Sequence, residues 1–172
     1  MTSQESSLYA QLSTTAHNFL SSTNPSPPGT NTPNWSLIRS LCHQSFQISF
    51  GPSLFASETP GLDSAKDVEG FVEHLEKLCG GMRTWENSVR ETVVDVERKT
   101  VVVRSEFCMW PRDGGEVVKN DVVMFLRVDP GDDGEERSGK VVHVVEYVDP
   151  VASGRIRERV MKLKAAQGFE DA

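Results

Sequence analysis

Between Arg83 and Val148 the chain carries four long runs rich in β-branched and aromatic residues, and this stretch dictates the fold. The runs are Trp85–Val96, Thr100–Trp110, Val117–Val128 and Lys140–Val148. Polar connections separate them: Glu97-Arg98-Lys99, a Pro111–Gly115 turn and the acidic loop Asp129–Gly139. Consecutive strands joined this way pair with their neighbours, which predicts an antiparallel and strongly curved meander.

Upstream of the strands the periodicity is helical. After a loose tail over residues 1–7, Leu8, Leu12, Ala16, Phe19 and Leu20 recur at the spacing of an amphipathic helix. Residues 23–34 are too polar and too broken by proline for either regular element, and form a long loop suited to cover a site or to move. A second helix is expected over Trp35–Ser45 with Asn34 as its cap. Phe46–Phe50 alternates like a short strand, Gly51-Pro52 turns it, and Leu54-Phe55 is its expected hairpin partner. A third helix starts at a capping-box-like Ser64 and Asp67, buries Val68, Phe71, Val72, Leu75, Leu78 and Cys79, and ends at Gly80-Gly81. Asp149-Pro150 opens a last helix with Ile156, Val160 and Leu163 on one side, and residues 166–172 form a tail. The expected architecture is α+β, one domain over residues 8–165, with three helices packed in a bent antiparallel sheet and a C-terminal helix. A sheet bent around helices encloses an interior, and ligand sites favour such concave, mostly apolar spaces.

The last strand places one carboxylate among valines. Alternation puts Val142, Val144, Glu146 and Val148 on one face, and Val141, His143, Val145 and Tyr147 on the other. Neither face is polar, so both are expected to be covered. Desolvation there raises the Glu146 carboxyl towards the range useful for acid/base work. An edge position or an arginine partner is the other reading of this carboxylate.

Composition narrows the function classes. With 25 Asp+Glu against 18 Lys+Arg, the formal net charge is −7, and a phosphate backbone is an unsuitable partner. Much of the acid lies in the expected loop at Asp129, Asp132, Asp133, Glu135 and Glu136, where it serves solubility. Cys42, Cys79 and Cys108 have neither disulfide-framework nor metal spacing, so the expected compartment is reducing, the cytoplasm. The N-terminus lacks a basic and then apolar secretory pattern, and no apolar run approaches the roughly 20 residues of a membrane helix. Neither a Ser-His-Asp order, a phosphate loop, a dinucleotide fingerprint nor zinc spacing occurs.

The element order resembles the nuclear-transport-factor-2-like (SnoaL-like) cone fold over roughly residues 35–165. Phe50-Gly-Pro-Ser-Leu54, Asn120-Asp121 and Val145-Glu-Tyr-Val-Asp149 carry the likeness, which is nearest to fungal isomerases and cyclases of meroterpenoid-type secondary metabolism. The resemblance implies a homodimer through the sheet, no cofactor, no metal, and acid/base rearrangement of a small molecule inside the cone. A glutamate at the position of Glu146 is among the catalytic residues of that group. Its register turns Asn120, Val122, Met124 and Leu126 inward beside Val144, with Phe46, Phe50 and Phe71 as aromatic walls. The chain departs from that group at Val118 and Val122, where tyrosines are usual, and offers only Arg39, offset by about two positions, from the second helix.

The expected chemistry follows from these residues. Glu146 removes or returns a proton next to a carbonyl, and Asn120 hydrogen-bonds an oxygen. Arg39 and His43 lie four residues apart on one helical face, so Arg39 can stabilise an enolate and His43 can serve as partner acid or base. Plain structural roles are the alternative for Arg39, His43 and Asn120. A one-residue slip in the second long strand would make Glu106 a rival acid. The expected function is a cofactor-independent isomerase, cyclase or dehydratase; a non-catalytic binding protein is the alternative, favoured by a chain with only two tyrosines.

Overall fold

The computed structural model describes residues 3–131 and 139–166. Among these residues five helices and five strands follow in the order α1 (Ser3–Ser22), α2 (Trp35–Leu41), β1 (Cys42–Gly51), α3 (Ser53–Glu58), α4 (Val68–Gly81), β2 (Met82–Asp95), β3 (Thr100–Pro111), β4 (Val118–Asp129), β5 (Lys140–Val148) and α5 (Pro150–Ala166). α1 begins at Ser3, so residues 3–7 of the expected tail are its first residues. The C-terminal tail and most of the acidic loop lie outside the described residues.

One curved sheet holds all five strands in the order β1-β5-β4-β3-β2. β2 to β5 are the expected antiparallel meander. β1 was not expected at this length: it runs parallel to β5 and covers what would have been the sheet's edge. Its ladder explains why α2 stops at Leu41 instead of Ser45, since Ile48, Phe50 and Gly51 pair with Val144, Glu146 and Tyr147. A buried backbone ladder of this kind outweighs local helical periodicity. The expected hairpin partner is also replaced. Ile48 exchanges backbone hydrogen bonds with Lys66, both at 2.8 Å, while Leu54-Phe55 belongs to the short helix α3.

Caps set the helix starts as the sequence suggests. The Asn34 side chain accepts from the Leu37 amide at 3.1 Å, and that of Asp67 accepts from the Gly70 amide at 2.9 Å. The loop over residues 23–34 is tied down: Trp85 donates its indole N–H to the Thr23 carbonyl at 2.9 Å, and Asn24 pairs with the Asn87 backbone.

The main core joins α1, α2 and α4 to the concave face of the sheet. Phe19, Phe46 and Phe71 meet at its centre with ring centroids about 6 Å apart. A second cluster, including Met82, Trp85, Ala152, Ile156 and Val160, seats α5 against β2, β3 and the end of α4. Along β4 burial alternates without a break, with Asn120, Val122, Met124 and Leu126 inward. Along β5 it does not. The register shifts between Arg127 and Val128 opposite Val142, so Val141 turns inward with Val144, against the simple alternation expected.

Candidate active site

Between the concave face, α4 and α5 lies a cavity of about 670 Å³, a size suited to a small molecule. Phe71, Phe107, Met109, Val122, Met124 and Val148 give it apolar walls. α4 presents Gly70, His74, Lys77 and Leu78 to it, and α5 presents Ser153, Ile156, Val160 and Met161.

Glu146 enters this cavity from β5, between Met124 on β4 and Phe50 on β1. Because β5 lies inside the sheet, the edge position is ruled out. The arginine partner is missing too: the carboxyl group has no hydrogen bond or ion pair to any described residue. Desolvation is therefore unopposed and pushes its pKa up to about 7. At neutral pH the group is divided between its acid and base forms.

His74 is the second titratable group in the cavity. Its ring lies 5.1 Å from that of Phe50, centroid to centroid, and it hydrogen-bonds to no described residue. Burial lowers its pKa to about 4, and Lys66 and Lys77 push in the same direction, so the imidazole is neutral at physiological pH. Phe50 links the two groups, since it neighbours Glu146 across the ladder and His74 through its ring. The cavity thus sets a carboxyl near its midpoint on the sheet and a neutral imidazole on the helix. In the sequence His74 is masked by the apolar stripe in which it sits, Phe71, His74, Leu75 and Leu78. A polar residue at that i, i+3, i+4, i+7 spacing was the available signal.

The other expected residues divide. Phe50, Phe71, Asn120, Val122 and Met124 line the cavity with Glu146. Phe46 and Val144 are buried in the core instead, where Phe46 packs against Phe19 and Phe71. Arg39 and His43 do not reach the cavity. Arg39 makes a two-pronged ion pair with Glu69 on the exterior, at 2.8 and 2.7 Å. His43 lies in β1, past the end of α2, and bonds locally to Ser45 at 2.8 Å. Asn120 uses both ends of its amide: it donates to Ser153 Oγ at 2.9 Å and accepts from the Asp149 amide at 2.9 Å. It holds the start of α5. Glu106 faces away from the cavity, where Arg90 and Lys119 flank it and Arg90 draws its pKa below the usual carboxylate range. Among the described residues, no group of three or more His, Cys, Asp or Glu side chains is placed to hold a metal ion.

No protein-family model and no curated protein matches the sequence. Solved structures do match. PrhC from Penicillium brasilianum superposes with a TM-score of 0.69 at 17% identity, covering 94% of this chain and 95% of that one. BvnE pinacolase from Penicillium brevicompactum gives 0.66 at 17% identity, over 88% of this chain and 92% of that one. A protein from Jannaschia sp., assigned as a SnoaL-like polyketide cyclase, gives 0.59 at 16% identity, over 87% and 92%. The chain therefore has the nuclear-transport-factor-2-like, SnoaL-like cone fold.

Proposed function

We propose that the protein is a cofactor-independent acid/base enzyme that isomerises, cyclises or dehydrates an apolar, oxygenated small molecule. The substrate class is a polyketide or terpenoid intermediate of fungal-type secondary metabolism. One observation carries this reading: an unpartnered carboxyl group, poised near pH 7, inside an apolar cavity of small-molecule size. The Glu146 carboxylate removes a proton next to a substrate carbonyl, and the carboxylic acid so formed returns it to another atom of the same skeleton. An isomerisation by that route needs no oxidant and no second substrate. Neutral His74 is placed to donate a hydrogen bond to the oxygen on which enolate charge develops. A pinacolase and an assigned polyketide cyclase share the fold, which supports rearrangement chemistry for a cavity of this type.

The test is turnover of candidate intermediates by wild type and Glu146→Gln, with folding checked by thermal melting. A fall of about 10²–10⁴-fold with the fold intact is expected. The second reading is a binding protein without chemistry. Both tyrosines are exposed or outside the cavity, so no phenol is available as proton donor. Binding of an intermediate that neither wild type nor the variant converts would favour it.

We also propose a homodimer formed through the outer face of the sheet. Val93, Val102, Phe125 and Val145 are consecutive cross-strand neighbours there, and Val93 and Phe125 are exposed. A cytoplasmic location fits the three free cysteines, and no described helix is long and apolar enough to cross a membrane.

A further inference from the structure

We infer that the cavity takes an amphipathic acid, with its apolar skeleton inside and its carboxylate at the opening among Lys66, Lys77 and Arg157. This inference rests on the reading of the cavity as a small-molecule site, and it adds the substrate's charge. All three cations line the cavity, and Lys77 and Arg157 are exposed, which places them where it meets solvent. None has a hydrogen bond or ion pair through its side chain to any described residue.

Elsewhere on the molecule both states occur, since Arg83, Lys99 and Arg155 are likewise unpaired with any described residue while other arginines are paired. Arg39, Arg90, Arg104 and Arg159 are each held by a carboxylate at 2.6–2.8 Å. In a chain of net charge −7, carboxylates are plentiful, yet among the described residues that line the cavity Glu73 is the one carboxylate besides Glu146. The opening is thus positive against the sign of the whole chain, and a concave apolar site concentrates such a field on an incoming anion.

The geometry suits one head group. Gly70, His74 and Lys77 follow one another at helical spacing along the side of α4 that lines the cavity, and Lys66 comes from the bridged residue just before that helix. Arg157 comes from α5 on the other side, in register with Ser153, Ile156, Val160 and Met161. Long basic side chains lay their methylenes along an apolar wall and hold their charge at the water boundary. An apolar acid meets that arrangement end for end. A neutral molecule leaves the three charges unused.

Decanoate and 1-decanol have the same chain length and differ in the head group, so titration calorimetry with both at pH 8 and low salt reads the opening directly. Wild type is expected to bind decanoate about tenfold more tightly, the combined effect of three partly exposed charge contacts. The combined variant Lys66→Gln, Lys77→Gln, Arg157→Gln should bind both ligands with equal affinity. Lys162→Gln, whose charge pairs with Glu158 at 2.7 Å, should keep the preference. Equal binding by wild type, an unchanged preference in the triple variant, or binding of neither ligand below about 1 mM would overturn the inference. Neither ligand is a substrate for rearrangement, so a negative result leaves the Glu146 chemistry standing on turnover and titration.

Discussion

Glu146 and His74 carry opposite pKa shifts from the same cause, because burial penalises whichever form is charged: ionised for the carboxyl, protonated for the imidazole. With Glu146 acting first as base, kcat/KM should rise with pH through an apparent pKa of about 7 and then level off. Glu146→Gln should abolish that rise. His74→Phe should lower kcat by roughly tenfold or more and leave the pH dependence in place, since a hydrogen bond made in the transition state is lost but the base is not. Arg39→Ala should leave turnover within about twofold and the melting temperature nearly unchanged, because its pair with Glu69 is exposed and screened by solvent. Glu146 was legible in the sequence because strand alternation isolates one acid among valines. Arg39 was not, since its partner lies thirty residues away on another helix.

Among the elements, β2 to β5 were legible from alternation and turn chemistry, and β5 has the bounds its sequence implies, Lys140–Val148. β1 and α3 were hidden for physical reasons. The start of β1 continues a helical pattern, and only its parallel ladder with β5 selects the extended form. Leu54-Phe55 is an apolar pair too short for periodicity to separate helix from strand. Two contacts seat α5 over the cavity and can be tested. Asn120→Ala strips the Asp149 amide and the Ser153 hydroxyl of a shared partner, and should cost about 1–3 kcal/mol in urea unfolding. Gly81→Ala would drive a methyl group into the Val160 side chain, and should cost about 1–3 kcal/mol while loosening α5. Both variants should weaken ligand binding, although neither changes Glu146.

For the whole molecule, the two cavity groups contribute opposite trends of stability with pH. Glu146 is held neutral in the fold up to about pH 7 and ionises near 4.5 when unfolded. The unfolded chain therefore binds fewer protons between those values, and stability falls as pH rises through the window, by up to about 3 kcal/mol. His74 works the other way: its folded pKa of about 4 against 6.5 makes stability fall as pH drops through that range. Glu146→Gln should remove the first trend and expose the second, so that the variant gains on wild type steadily from pH 4.5 to 7. On the outer face, Phe125→Glu should convert the proposed dimer to a monomer in sedimentation velocity with the cavity intact. The most direct measurement is an NMR titration of the glutamate side-chain carboxyls in uniformly ¹³C-labelled wild type and Glu146→Gln. One carboxyl titrating near pH 7, absent from the variant, is the predicted result. Titration of every glutamate below about pH 5 would contradict the claim that Glu146 is the poised acid/base group of this cavity.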